Sequence, residues 1–271
     1  MELKKVDYVF VVVVYRNVDD IIDFLLSLKE QVKGIYSVII VNNYFDDITM
    51  HRFEEIAEQY ECSFINCENR GYGAGNNTGI RFALEKYEFR FLAISNPDIV
   101  VKKFSEETLH DCGDGVIGGA IHNLRCKKQN PMIVKNRRFA TRMTYEGLKR
   151  HAFFPLLIGK AIYKVERIAF LLFNKREIKR VYQIHGSFLM FPKAVLEKIG
   201  APYDEKMFLF AEEGMLAYIL DKNAIPTYYN PAIELLHKED GSMKFRNDID
   251  EECVKACIYF YEKYYFNAGE M

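Results

Sequence analysis

Residues 1–100 alternate between two hydrophobic rhythms. Val9 to Val14 is an unbroken β-branched and aromatic run, the pattern of a strand covered on both faces. Ile21, Leu25 and Leu28 then recur at helical spacing. Ser37 to Val41 is strand-like, Phe53 to Tyr60 helical, Ser63 to Cys67 a short strand, Ile80 to Tyr87 a helix and Phe91 to Ser95 a further strand. Such alternation with short links predicts a parallel sheet with right-handed crossovers. Ligands of such sheets collect at the carboxyl ends of the strands. Polar residues fall at those ends: Tyr15 to Asn17, Asn42 to Asp47, Asn69 to Asn77 and Asn96 to Asp98.

The second half mixes its signals. Asp114 to Ile121 is Gly-rich and strand-like, Val181 to Phe191 reads as a strand, and Phe210 to Leu220 as a helix. Ala232 to Leu236 is a short strand and Asp248 to Phe266 a closing helix. With no repeat and no low-complexity linker, one continuous domain over 1–271 is expected. Between Lys135 and Arg180, thirteen Lys and Arg stand against three Glu, a local charge of +10 in a chain whose net charge is −1. At about 100° per residue, Ile158, Ile162, Val165, Ala169 and Leu172 fall on one helical face, with Lys160, Lys164 and Arg167 nearly opposite. Two readings fit this basic amphipathic insertion. Its apolar face packs on the protein beneath a solvated basic face, or the helix rests on an anionic membrane surface.

Composition narrows the classes. With 49% apolar and 14% aromatic residues, the chain can bury a substantial core and is not a disordered protein. The near-neutral net charge by itself suggests neither a nucleic-acid nor a membrane partner, although that average conceals the basic segment. Six cysteines include no CxxC pair, so reduced thiols and a cytoplasmic location are expected. Lys4 and Lys5 ahead of the Tyr8–Tyr15 run imitate a leader peptide, but Asp7 intrudes and Arg16-Asn17 closes the run without a small-residue cleavage site. No stretch reaches the ~20 apolar residues of a membrane span.

Four segments carry chemistry. Asn69-Arg70-Gly71-Tyr72-Gly73-Ala74-Gly75-Asn76-Asn77 places three alternate glycines before a helix, which lets the backbone approach a phosphate or simply turn tightly. Asn96-Pro97-Asp98 sets a carboxylate at the exit of a buried strand, either as a hard oxygen ligand for Mg²⁺ or Mn²⁺ or as part of an Asn-Pro turn. Glu212-Glu213 opens a predicted helix after Tyr203-Asp204-Glu205; adjacent helical residues point about 100° apart, so only one faces a given site. His237 ends a predicted strand ahead of Gly241-Ser242, as a structural side chain or as a metal or phosphate contact.

In order and spacing these segments resemble the family-2 inverting glycosyltransferases of GT-A fold, especially the rhamnosyltransferase-like branch, from Val9 to Ser242. The resemblance implies an α/β, Rossmann-like, mostly parallel central sheet flanked by helices. It makes 1–100 the nucleotide-sugar half, 101–242 the acceptor half and 243–271 a C-terminal helix. It implies that Tyr15 touches the nucleoside and that Asn43 and Asp47 hold base and ribose. Asn69, Gly71, Gly75 and Asn77 match the family's Asn- and Gly-rich turn, and Asn96 opens its metal motif. Asp98 would hold Mg²⁺ or Mn²⁺ with His237, and Glu213 would be the base. Gly186-Ser187 and Asp204-Glu205 complete the acceptor-side series. The implied activity is sugar transfer from a UDP- or dTDP-sugar, dTDP-rhamnose included, to a glycan or lipid-linked acceptor in cell-surface polysaccharide synthesis. This chain departs from the family pattern at Asn42, Asn96, Glu213 and Met215, where Asp is frequent, although the Asn-Pro-Asp form belongs to the branch it resembles. Two other classes use related elements: a sugar nucleotidyltransferase, whose basic Gly-rich loop has no counterpart in Arg16-Asn17-Val18-Asp19, and a non-catalytic scaffold at the membrane.

Overall fold

The computed structural model describes residues 3–174, 176–239 and 249–266. In chain order, the first half contains β1 (Lys4–Lys5), β2 (Tyr8–Val14), α1 (Asp19–Gln31), β3 (Tyr36–Asn43), α2 (Asp47–Gln59) and β4 (Ser63–Cys67). It continues through α3 (Tyr72–Lys86), β5 (Tyr87–Glu88), β6 (Phe91–Ser95), β7 (Ile99–Phe104) and β8 (Val116–Asn123). The second half contains α4 (Arg138–Lys149), α5 (Phe153–Phe173), β9 (Lys179–Val181), β10 (Phe188–Pro192), α6 (Lys193–Ile199), α7 (Glu212–Lys222), β11 (Thr227–His237) and α8 (Ile249–Phe260).

A nine-stranded sheet runs β4-β3-β2-β6-β10-β8-β11-β7, with β9 added on β11. β4, β3, β2 and β6 are mutually parallel, as are β8 and β11. β10, β7 and β9 run against their neighbours. The β-branched run of β2 is buried along its whole length because both of its faces are covered. Val9, Val11 and Val13 pack with Ile80 and Ala83 of α3 and Met215 and Leu216 of α7. Tyr8, Phe10, Val12 and Val14 pack with Ile21, Phe24 and Leu28 of α1 and Phe53 of α2. Each fully buried side chain of this kind contributes about 1.5–3 kcal/mol.

α3 begins at Tyr72, well before the Ile80 start that periodicity suggests. The Gly-rich stretch is thus its first turns. Glycine is a poor helix former, but here missing side chains bring the helix onto the sheet. A Cβ on Gly79 would lie 2.3 Å from Val11 Cγ1, and one on Gly75 would lie 2.9 Å from Asn43 Oδ1. Gly71 has φ +103°, and its Cβ would fall 2.2 Å from the carbonyl oxygen of Phe208, which accepts the Tyr72 N–H at 3.0 Å.

The expected Val181–Phe191 strand is two strands with different partners. Residues 182–187 leave the sheet between them, drawn aside when the His185 N–H donates to Asn130 Oδ1 at 2.7 Å. The basic insertion folds as a hairpin of α4 and α5. Gly159 lets α5 lie against Ala140 and Thr144. The reading in which the apolar face of α5 packs on the protein is overturned: Ile158, Val165 and Leu172 are 45%, 66% and 68% exposed. Arg167, expected on a solvated face, turns inward and donates to the carbonyls of Pro131, at 2.6 Å, and Lys128. No helix among the described residues is long and apolar enough to cross a membrane. Gly241, Ser242 and Asp248 lie outside the described residues.

Gly71→Ala combines a left-handed backbone with a clash against a carbonyl. It is expected to lower unfolding free energy by about 2–4 kcal/mol, measured by urea denaturation.

Candidate functional site

The strand register gathers the polar residues on one rim. Val12 pairs with Ser95 and Val14 with Asn42, so β2, β3 and β6 end together, and Tyr15, Asn43 and Asn96 follow there. β10 runs the other way, with Phe188 opposite Ser95. Its beginning, Gly186-Ser187, therefore meets the same rim, and Asn96 N–H donates to Ser187 O at 2.9 Å. β11 ends with His237 opposite Ile99 and Asn123, and the Lys238 N–H donates to Asp98 O at 3.0 Å. Two residues 139 positions apart in the sequence are thereby made neighbours.

His237 Nε2 lies 3.3 Å from Asp98 Oδ1, with both side chains nearly excluded from solvent. The tautomer is set from behind. Gln129 Nε2 donates to Glu239 Oε1 at 2.8 Å, which turns Gln129 Oε1 toward His237 Nδ1 at 2.9 Å. An amide oxygen only accepts, so Nδ1 carries a proton. In a neutral His237 the Nε2 lone pair then faces the Asp98 carboxylate, and a cation relieves that opposition. A divalent ion fits this donor set, an imidazole nitrogen and a carboxylate oriented by outer partners. Among the described residues no three His, Cys, Asp or Glu side chains form a ready-made cage. Mg²⁺ needs none where phosphates supply the remaining oxygens.

His185 stacks edge-on against His237, with ring centroids 5.5 Å apart. Its Nδ1 accepts the Ser187 N–H at 3.2 Å, which puts the proton of the neutral ring on Nε2. Burial holds its pKa below the ordinary histidine value and favours that neutral form. Next to it, the Gly186 N–H donates to Glu213 Oε1 at 3.2 Å. Tyr72 closes the group by donating to Asn96 Oδ1 at 2.7 Å. Burial pushes the Tyr72 hydroxyl up, so it remains a donor. Asp98 and Glu213 each act electrostatically on both Tyr72 and His185. Asp98, His237, His185, Tyr72 and Glu213 are thus brought together on one rim.

The acidic pair divides. Glu212 is 7% exposed, and burial reinforced by the Glu213 carboxylate pushes its pKa up to about 8. Burial thus favours its protonated form. Met215 is fully buried, and its Sδ accepts the Asp204 N–H at 3.2 Å. Asp204 Oδ2 accepts from Tyr259 at 3.0 Å, Tyr264 at 3.1 Å and Lys263, anchoring the C-terminal segment. Glu205 pairs with Arg70 and Arg81.

The remaining sequence-predicted residues spread along the rim. Asn43 donates to Gly71 O at 3.2 Å, and Asn69 Oδ1 accepts from Gly71 N at 3.2 Å. Asp47 is exposed in the first turn of α2 and accepts from Tyr44 Oη at 3.0 Å. Tyr15 lies 5.6 Å from the Phe45 ring, with the Arg16 guanidinium over both at 4.9 and 4.0 Å. Asn77, matched to the same Asn- and Gly-rich turn, is 1% exposed. Its amide is engaged by Tyr203 N, Tyr203 O and Glu205 Oε1, which makes it a clamp on the 203–205 loop. Sequence reasoning missed His185, although it directly precedes the Gly186-Ser187 motif. It also missed Gln129, which carries no local signal.

Known proteins resemble the chain in a family match and in fold. Residues 9–110 match the family model described as Glycosyl transferase family 2. The Haloferax volcanii low-salt glycan biosynthesis hexosyltransferase Agl10 is 22% identical over 234 residues, 86% of this chain and 67% of its own. The crystal structure of GalNAc-T7 with UDP, GalNAc and Mn²⁺ superposes with a TM-score of 0.63 at 11% identity, a likeness of fold. It covers 97% of this chain, which spans half the length of that structure.

The folded protein retains a proton on Glu212 that the unfolded chain releases at a pKa of about 4.3. Stability therefore falls as pH rises from there toward about 8. Glu212→Gln removes this loss. Its melting temperature should match wild type near the acid end of the window and exceed it by several degrees above the alkaline end, read by calorimetry. Gln129→Ala frees the His237 ring and should weaken Mn²⁺ binding by about 10–100-fold, measured by titration calorimetry. The chain thus carries, over residues 9–110, a match to the Glycosyl transferase family 2 model, and its fold is like that of a GT-A enzyme.

Proposed function

We propose that this protein is an inverting glycosyltransferase, taking a sugar from a nucleoside-diphosphate donor to the hydroxyl of a glycan or lipid-linked acceptor. The observation that carries the reading is the convergence of Asp98, His237 and Glu213 on one rim, near Tyr15 after β2, Asn43 at the end of β3 and Asp47 at the start of α2. Support also comes from the family match over 9–110 and from a hexosyltransferase relative.

Each group has a task in an in-line displacement. The ring of Tyr15 and the carboxylate of Asp47 hold the nucleoside, with buried Asn43 fixing the Gly71 turn behind them, so that remote binding energy positions the anomeric carbon. The acceptor oxygen forms its bond to that carbon while the carbon–oxygen bond to the diphosphate breaks. The nucleoside diphosphate leaves with the electron pair. The hydroxyl proton passes to the carboxylate of Glu213, whose backbone-anchored oxygen fixes its orientation. Asp98 and His237 are the residues that would hold Mg²⁺ or Mn²⁺, which supplies positive charge against the growing charge of the leaving group. Neutral His185 adds no repelling charge beside that cation.

Two substitutions and a donor panel test the reading. Asp98→Ala should abolish Mn²⁺-dependent donor binding in calorimetry, and unchanged binding refutes its role. Glu213→Gln should bind donor normally yet lose about 10²–10⁴-fold in transfer; retained transfer moves the base elsewhere. Donor turnover with Mn²⁺ across UDP- and dTDP-sugars, dTDP-rhamnose included, identifies the donor. Turnover of none of them counts against a transferase.

A further inference from the structure

The geometry of the α4–α5 hairpin points to a second surface, and we propose that the outward face of α5 docks on an anionic lipid bilayer. Phe154, Leu157, Ile158, Val165, Ile168 and Leu172 are all between 45% and 75% exposed. At about 100° per residue they share one arc of the helix, opposite its buried Gly159 and Phe170. A continuous apolar stripe of this size in water marks an interaction surface. The stripe is not waiting to fold back on the protein. The other side of α5 is already engaged, by the close approach to α4 at Gly159, by Phe170 in the core and by Arg167 on the 128–131 loop.

Charge selects the occupant. Lys160 and Lys164 are exposed beside the apolar arc, and the segment from Lys135 to Arg180 carries +10. A second copy of the chain meeting this face would bring the same positive charge against it. A bilayer rich in acidic headgroups offers the opposite charge next to an apolar interior, the pairing that an interfacial amphipathic helix uses. Lys160, Lys164, Glu166 and Arg167 interrupt the 21-residue helix, so it lies along the surface over about 31 Å instead of crossing it. The dock also connects to the rim. Arg167 holds the loop in which Gln129 orients His237 and Asn130 holds His185.

Co-sedimentation with vesicles reads this without any sugar substrate, so it stands or falls separately from the transfer chemistry. Wild-type protein should sediment with phosphatidylglycerol–phosphatidylcholine vesicles at low salt, about tenfold more strongly than with pure phosphatidylcholine, and less at high salt. The double variant Val165→Asp, Leu172→Asp changes only exposed positions. It should lose about tenfold in partitioning while melting temperature and Mn²⁺ binding stay as in wild type. Absence of wild-type binding, undiminished binding by the double variant, or a wild-type dimer that the variant dissolves would overturn the proposal.

Discussion

A carboxylate stands on one side of the Gln129 amide and an imidazole on the other. Glu239 can only accept, so it takes the amide N–H and leaves the amide oxygen for His237. That oxygen demands a proton on Nδ1, and the far nitrogen is left facing Asp98 at 3.3 Å. The chemistry proposed for the rim follows from this single orientation. On the function proposed here, and with a neutral ring, it leaves two buried side chains as a matched pair of donors for a positive ion, whereas a reversed amide would leave them an ordinary hydrogen bond.

The scaffold that supports this pair is built from opposed strand directions. β2, β3 and β6 deliver their ends to the rim, β10 delivers its beginning, and β11 returns to lie beside the turn after β6. Glycines then remove the spacing that side chains would impose between α3 and the sheet. The acidic residues around Tyr203 are mounts. Asp204 fastens the C-terminal segment, Glu205 fastens α3, and Asn77 locks the loop between them. Glu213 stands in the first turn of α7, held by the Gly186 N–H.

The strands of the first half were legible because full burial leaves an unmistakable β-branched run, and the rim followed from their alternation. α3 was mis-started because glycine's low helix propensity hid turns that tertiary contacts stabilise. Val181–Phe191 looked like one strand because nothing local announces that its ends pair with different partners. Periodicity disclosed an apolar face on α5 but could not say which way it turns, and the direction is set by Gly159 and Arg167. Gln129 and His185 were invisible in their roles because contacts across such sequence separations leave no local pattern. Glu213, Asp98 and His237 could be read as candidates, whereas the order in which they depend on one another could not.

The reversed direction of β10 has a consequence for how such a chain can vary. The loops after β2 and β3 and the segments before β10 and α7 reach the rim from opposite flanks of the sheet and share little chain. One flank can lengthen or change its side chains while the other keeps its register. On the function proposed here, the partner recognised on each flank could diverge separately, with the strand ladder between them held constant.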